Sequence, residues 1–207
     1  GVTPTMTVVE IWPSGGWYTE ILAPYLAAHG TYIIADPAAD PNGYTNPRKA
    51  WIAAHPALVG SLSYATFQPP TQVEVAPENS VDMILTFRNV HNWLPESSQL
   101  AALKGFFKAL RPGGVLGVVD HRANPKIKFD PKSGYVQERA LIKLATKAGF
   151  KLGSKSEVNA NPKDRADYPD GVWTLPPRLR LGEKDKQKYL DIGESDRMTL
   201  KFLKPLK

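Results

Sequence analysis

The stretch that decides the fold is Val8–Leu26, VVEIWPSGGWYTEILAPYL. It begins as an apolar strand with Glu10 near its end, continues through the turn Pro13–Gly16, and then opens a helix. A strand, a glycine-containing loop and a helix at the start of a parallel sheet often form a nucleotide site, because glycine lets backbone approach the ligand and the helix N-terminus offers unpaired N–H groups. The stretch therefore predicts a ligand site at the first crossover.

A second acidic strand end follows about 20 residues after the first, a spacing typical of nucleoside-binding folds. Thr31–Ala35 is a short apolar run, and Asp36 comes directly after it. A carboxylate at this position can accept hydrogen bonds from both hydroxyls of a ribose. Each acid also has a plain structural interpretation: Glu10 can cap the next helix, and Asp36 can be an ordinary turn residue.

Strands and helices alternate along the rest of the chain. Apolar runs predict strands, and 3.6-residue periods predict helices. The further predicted strands are 62–67, 81–87, 115–119, 150–158 and 197–203, and the further predicted helices are 47–58, 95–110 and 135–148. This order predicts an α/β fold of the Rossmann-like kind, a three-layer sandwich in which helices cover both faces of a mostly parallel, seven-stranded sheet.

The first helix is predicted to begin near Gly16. One apolar face is predicted for it, made of Ile21, Leu22, Tyr25 and Leu26. Pro24 then lies past the first turn and should kink the helix, since proline removes a backbone donor.

Composition limits the class of protein. The 207 residues suit a single domain, 1–207, in which the polar, proline-rich segment 159–195 forms an excursion over the surface. There is no cysteine, which excludes disulfides, thiolate metal sites and cysteine nucleophiles. No apolar run approaches the ~20 residues that span a bilayer. The net charge of +6 is spread among acidic residues, so a solvated basic surface is favoured over a nucleic-acid site.

Four features, spaced along the chain, carry a family resemblance. They are the acidic strand end with its loop at 10–16, the acid Asp36, the segment 82–93, and Leu-Arg-Pro-Gly-Gly-Val-Leu at 110–116. Together they resemble the class I S-adenosylmethionine-dependent methyltransferases, over nearly the whole chain. The closing segment 196–202 is similar to that family's last strand, which implies that the seventh strand is antiparallel.

The resemblance is greatest to a bacterial subgroup of methyltransferases with a Trp-Pro-x-Gly-Gly loop and Asp-His after the fifth strand. Members of that subgroup often look exported. Gly1 stands only a few residues before the first strand, so a leader or N-terminal helices ahead of it are consistent with the sequence. The compartment stays open between the bacterial cytoplasm and export.

The resemblance implies S-adenosyl-L-methionine as the cofactor. It implies that Glu10 and the glycine loop hold the amino-acid part of the cofactor and that Asp36 holds the ribose. The implied cofactor-binding residues are Glu10, Trp12, Ser14, Gly15, Gly16, Asp36, Arg88 and Asn89. Residues Asn89, Asn92 and Trp93 are expected to line the adenine or the acceptor side, although Trp93 can equally be a core aromatic.

Trp12 departs from the family pattern. The family loop has three glycines, and Trp12, Ser14 and Gly16 occupy their positions here. An indole at the first position shifts the cofactor, forms a wall of its pocket, or blocks the site. Trp12 or Trp17 can also face the positive sulfonium through a cation–π contact.

Two histidines follow strands at the edge where parallel sheets bind ligands, His91 after the fourth strand and His121 after the fifth. Imidazole titrates near neutral pH, so each is a candidate general base, and each can equally be structural. We favour His121, because the carboxylate of Asp120 is available to orient its ring. No metal site is predicted. The two histidines, Asp120 and Glu10 can assemble in the fold, but no local pair has the spacing of metal ligands.

Four functions stay open. The leading one is methyl transfer to a small-molecule acceptor, with 159–195 as a lid over the acceptor, no nucleic-acid partner and no membrane span. The second is a binding protein of the same fold that has lost the cofactor, which Trp12 motivates. An NAD-dependent oxidoreductase is disfavoured, because only Gly15 and Gly16 of the G-x-G-x-x-G fingerprint are present. Nucleic-acid modification rests on basic composition alone. The acceptor and the oligomeric state are not identified.

Overall fold

The computed structural model describes residues 1–206, and seven strands form its central sheet. The strands are β1 Thr7–Ile11, β2 Thr31–Asp36, β3 Leu62–Thr66, β4 Val81–Phe87, β5 Leu110–His121, β6 Lys151–Ser156 and β7 Arg197–Leu203. Their order in the sheet is β3-β2-β1-β4-β5-β7-β6. Strands β1 to β5 pair in parallel, and β7 pairs antiparallel with both β5 and β6. The predicted Rossmann-like sheet with an antiparallel last strand is confirmed.

Five α-helices connect these strands. They are α1 Thr19–Leu26, α2 Asn46–Ala54, α3 Glu96–Ala109, α4 Glu138–Ala148 and α5 Lys186–Ile192. None of the helices in residues 1–206 is both long and apolar enough to cross a bilayer. The segment predicted to end α3 and precede the fifth strand, Leu110–Gly114, already belongs to β5. Leu110 pairs with Val81, and the register with β4 then shifts before regular pairing resumes at Val115.

Helix α1 starts later than predicted and buries a different face. Its buried residues are Thr19, Leu22, Ala23 and Leu26, a spacing that matches one face of an α-helix. Ile21 and Tyr25, predicted to be inward, are 57% and 47% exposed. Because the helix begins at Thr19 rather than Gly16, Pro24 lies only in its second turn.

The sheet separates two apolar layers. Alternate residues of β1 point to opposite faces, since side chains in a strand alternate. Val9 and Ile11 belong to the larger core cluster, which also contains Phe106 of α3. Val8 belongs to the smaller cluster on the other face, together with Leu22 of α1. The two layers hold the carboxyl ends of β1, β4 and β5 side by side.

The first crossover, from β1 to α1, has an unusual backbone. Trp12 and Ser14 have left-handed φ angles of 47° and 51°, and Gly16 has a φ of 94°. Non-glycine residues in this region store strain and persist where the surroundings fix them, often at functional sites. At Gly16 a Cβ atom would also lie 2.7 Å from Cγ of Arg48. At Gly15 a Cβ atom would meet nothing within 4 Å.

The two neighbouring glycines therefore give a matched prediction. We expect Gly16→Ala to lower the free energy of unfolding by about 1–3 kcal/mol, because it combines a left-handed φ with a clash against Arg48. We expect Gly15→Ala to change it by no more than about 0.5 kcal/mol. Chemical denaturation of both variants measures the difference, and equal effects would contradict the described packing of the loop.

Candidate active site

A cavity of about 650 Å³ opens at the carboxyl ends of β1, β4 and β5. This is the edge where parallel α/β sheets bind ligands. Seven of the predicted site residues line it: Glu10, Trp12, Ser14, Arg88, Asn89, His91 and His121. Asn92 and Trp17 line it as well, whereas Gly15, Gly16 and Asp36 do not.

Glu10 lies at the inner end of the cavity and is 2% exposed. Its carboxylate accepts hydrogen bonds from the Tyr32 hydroxyl and, at 3.4 Å, from the Thr19 hydroxyl. Burial raises the pKa of Glu10 to about 7, and the hydrogen bonds and the nearby Arg48 guanidinium counteract only part of that effect. Glu10 thus changes its charge close to neutral pH.

Asp36 and Arg48 form an ion pair beneath the glycine loop. Arg48 comes from α2, is fully buried, and donates from Nη2 to Oδ2 of Asp36 at 2.5 Å. The other carboxylate oxygen of Asp36 and the Nε and Nη1 atoms of Arg48 are buried without a partner in the described chain. One oxygen of Asp36 is therefore taken by Arg48, and the other remains available as an acceptor. No local pattern in α2 marked Arg48 as a site residue.

The Trp12 indole is turned away from the glycines. Its Nε1 donates to the Phe67 carbonyl at 2.9 Å, and its ring meets Phe67 and Trp93 edge-on, with centroids 6.0 and 6.1 Å apart. Trp12 lines the cavity, and its indole is held against Phe67 and Trp93. Trp93 is 2% exposed and belongs to the core, the alternative left open for it, and it does not line the cavity.

The glycine loop leaves donors free for a ligand. In the described chain the backbone N–H groups of Ser14, Gly15 and Trp17 donate to no acceptor, whereas that of Gly16 donates to the Pro13 carbonyl at 2.9 Å. The open space above Gly15 and the unpartnered Oδ1 of Asp36 add to these groups. Free N–H groups ahead of a helix favour an anionic group, and an orphaned carboxylate oxygen favours a hydroxyl donor. These residues fit a ligand that has both a carboxylate and a ribose.

Arg88 and Asn89 follow β4 at the cavity. The backbone of Arg88 is left-handed, with a φ of 60°, and its N–H donates to the Val119 carbonyl at 2.7 Å. The side-chain amide of Asn89 donates to the Ile11 carbonyl at 2.7 Å. Asn89 thus fastens the end of β4 to the end of β1, and its amide nitrogen is committed to the backbone.

Asp120 holds the two histidines together. Its carboxylate is fully buried and accepts hydrogen bonds from the Val90 N–H at 2.7 Å, from Nδ1 of His91 at 3.0 Å and from the His121 N–H at 2.8 Å. Burial works to raise the pKa of Asp120, but the hydrogen bond and charge of His91, with contributions from His121, outweigh it and leave the pKa below its usual value. Asp120 therefore stays ionised and orients the ring of His91.

The His121 ring has a different partner from the one expected. Its Nδ1 lies 2.6 Å from the Ser195 hydroxyl, and only its backbone N–H reaches Asp120. The expectation that Asp120 orients the His121 ring is wrong, because Nδ1 of that ring is bonded to Ser195 instead. Burial lowers the pKa of His121 to about 3, despite the attraction of Asp120, and His91 and Arg88 lower it further. The His121 imidazole is neutral at pH 7.

The three groups also lie at metal-binding distance from one another. One ligand atom each from His91, Asp120 and His121 fall within 4.8 Å of one another. The Asp120 carboxylate already accepts three hydrogen bonds, one of which orients the ring of His91. The sequence predicted no metal site, because no local pair has the spacing of metal ligands. In the described residues the fold brings His91, Asp120 and His121 together.

The outer wall of the cavity comes from the segment 159–195. The residues that it contributes are Val172, Trp173, Leu175, Pro176, Pro177, Arg178, Arg180, Glu194 and Ser195. The predicted excursion therefore lies over the ligand-binding edge of the sheet. The sequence predicted that this segment covers the acceptor but named none of its residues. Ser195 was missed because it is 74 residues away from its partner His121 in the chain.

Comparison with solved structures supports the class of fold. A SAM-dependent methyltransferase from Aquifex aeolicus aligns with a TM-score of 0.65 and 16% identity over 99% of this chain and 85% of that one. A SAM-dependent methyltransferase from Methanosarcina mazei aligns at 0.64 and 13% identity, over 100% and 95% of the two chains. The [4+2]-cyclase SpnF aligns at 0.66 and 13% identity, over 100% and 77%. No protein-family model and no curated protein sequence matches this chain. The chain has the fold of the class I methyltransferases, and SpnF shows that this fold also supports other chemistry.

The buried carboxyl of Glu10 predicts a pH dependence. The folded protein keeps the Glu10 proton up to a pKa of about 7, whereas the unfolded chain releases it near 4.5, so ionisation costs stability as the pH rises between these values. Glu10→Gln removes this cost. We expect the free energy of unfolding of the variant, relative to wild type, to increase by up to about 3 kcal/mol between about pH 4.5 and about pH 7.5. Urea denaturation at both pH values measures it, and a difference that does not change with pH would contradict the burial of Glu10.

Proposed function

We propose that this chain is an S-adenosylmethionine-dependent methyltransferase with a small-molecule acceptor, a member of the bacterial subgroup with the Trp-Pro-x-Gly-Gly loop. The observation that carries the proposal is the Asp120–His91 pair at the cavity that the open glycine loop also borders. The methyltransferases among the solved structures of this fold support it. In the proposal residues 1–207 act as one domain, and 159–195 covers the acceptor.

The cofactor would be held by the first crossover and the end of β2. The free N–H groups of Ser14, Gly15 and Trp17 suit its carboxylate, and Oδ1 of Asp36 suits a ribose hydroxyl. Glu10, Trp12 and Arg88 line the cavity that Ser14 and Trp17 of the loop also border, which supports their proposed part in holding the cofactor. When bound, the cofactor supplies a methyl group on a positive sulfonium.

His91 would act as the general base, in place of the His121 that the sequence favoured. Its Nδ1–H is donated to Asp120, which leaves Nε2 as the proton acceptor and stabilises the imidazolium that forms. The bound cofactor would supply the methyl group, and Nε2 of His91 would take the proton that the acceptor oxygen or nitrogen loses when it is methylated. His121, whose pKa is about 3, is too weak a base and serves as a neutral hydrogen-bonding group.

A second function has one specific observation in its favour. The guanidinium of Arg48 already occupies one oxygen of Asp36, as in a site that no longer needs that carboxylate for a ligand. The fold without the cofactor would then be a binding protein. Cofactor binding separates this candidate from the enzyme.

Binding of S-adenosylhomocysteine tests the cofactor site. We expect calorimetry to show binding to the wild type below about 1 mM and to Gly15→Ala with similar affinity. We expect Gly15→Leu to lower the affinity at least about tenfold, because its side chain enters the open space above the loop while the fold stays intact. No binding by folded wild type would refute the enzyme and favour the binding protein.

Substitution of the histidines tests the base. With an acceptor found by screening for transfer of labelled methyl, we expect His91→Ala to lower kcat by about 10²–10⁴-fold. Asp120→Asn should lower it too, because it removes the charge that stabilises the imidazolium. His121→Ala should cost less than His91→Ala, and all three variants should still bind S-adenosylhomocysteine. A larger loss for His121→Ala would restore His121 as the base.

A further inference from the structure

Trp173 and Arg180 stand next to the proposed base in the outer wall of the cavity. The guanidinium carbon of Arg180 lies 4.7 Å from the centre of the Trp173 ring. The ring of His91 meets the same indole edge-on, with centroids 6.1 Å apart and planes at 72°. The guanidinium and the imidazole therefore contact the same indole.

The backbone fixes Arg180 in this place. Its N–H donates to the Trp173 carbonyl at 3.0 Å, which closes the loop between the two residues. The Arg180 side chain then returns over the indole that it shares with His91. A stacked guanidinium keeps the N–H groups at its edge free, and these match a carboxylate in a bidentate fashion. Because the indole already contacts the guanidinium, less side-chain freedom is lost when an anion binds.

The charges around the cavity favour an anion. Four arginines line it: Arg88, Arg178, Arg180 and Arg197. Of these, only Arg197 has a carboxylate partner in residues 1–206, Glu194 at 2.6 Å. The other acid in the lining is Glu10, which lies at the inner end and is hydrogen-bonded to Tyr32. A cleft lined with cationic side chains that have no carboxylate partner raises the local concentration of anionic ligands.

We propose that the acceptor is an anionic aromatic compound that carries a carboxylate one ring away from a nucleophilic hydroxyl or amine. Arg180, with Arg178 beside it at the rim, binds the carboxylate. The aromatic ring of the acceptor lies along Trp173, and the nucleophile reaches His91. Arg178 and Arg180 are specificity-determining residues in this arrangement. The assignment of a methyl acceptor rests on the proposed function, whereas the binding of the aromatic acid does not.

A pair of probes that differ only in charge tests this inference. The probes are 4-hydroxybenzoate and the neutral 4-hydroxybenzamide, titrated by calorimetry into the full chain with and without S-adenosylhomocysteine. We expect the wild type to bind the acid at least about tenfold more tightly than the amide. In Arg180→Gln we expect the preference to fall below about threefold, mainly through weaker binding of the acid. Arg139→Gln, an exposed arginine of α4 outside the cavity, is the matched control and should keep the wild-type preference.

Three results would overturn the inference. They are equal affinity of the wild type for acid and amide, an unchanged preference in Arg180→Gln, and no binding of either probe at about 10 mM. Its failure is distinguishable from failure of the proposed function. If S-adenosylhomocysteine binds and the acid is not preferred, only the acceptor class is wrong. If the acid is preferred and S-adenosylhomocysteine does not bind, the cavity is an anion-binding site of a protein that is not a methyltransferase.

Discussion

The candidate site depends on the buried carboxylate of Asp120. A charge without solvent is costly unless hydrogen bonds satisfy it, and here three donors from two segments of chain do so. Two of them, the Val90 N–H and the His91 ring, belong to the turn after β4, and the third belongs to the end of β5. The carboxylate therefore joins the two strand ends that border the cavity. If either strand end moved, Asp120 would lose hydrogen-bond donors while it stayed buried. The cost of such an unsatisfied charge fixes the position of His91.

The first crossover shows the opposite arrangement, in which charge is only partly satisfied. Because its pKa is about 7, the Glu10 carboxyl is about half protonated near neutral pH. One oxygen of Asp36 has no partner, and the buried Arg48 lies close to both acids. Such incompletely paired groups are tolerated where a ligand supplies the missing partners. The strained backbone at Trp12 and Ser14 belongs to the same loop. One side of the cavity is thus rigid before a ligand arrives, and the other is left with unmet hydrogen-bonding capacity.

Sequence patterns predicted the structural features that depend on residues close to one another along the chain. The seven strands, the acids at the ends of β1 and β2, and the inward face of β7 follow from periods of two and 3.6 residues. What they could not supply was the choice of partners across the fold. Arg48 reaches Asp36 at the end of β2 from helix α2, and Ser195 reaches His121 from just before β7. The error about Asp120 has the same origin, because Ser195 rather than the neighbouring carboxylate takes Nδ1 of the His121 ring.

The contact between Gly16 and Arg48 has a consequence for how this loop can evolve. The long side chain of Arg48 fits only because residue 16 has no Cβ, and it in turn neutralises Asp36. A larger residue at 16 requires a smaller one at 48, and losing the cation at 48 leaves the acid at 36 buried without its counter-ion. In homologous sequences these three positions should therefore change together, and a chimera that exchanges the loop without α2 should inherit a mismatch.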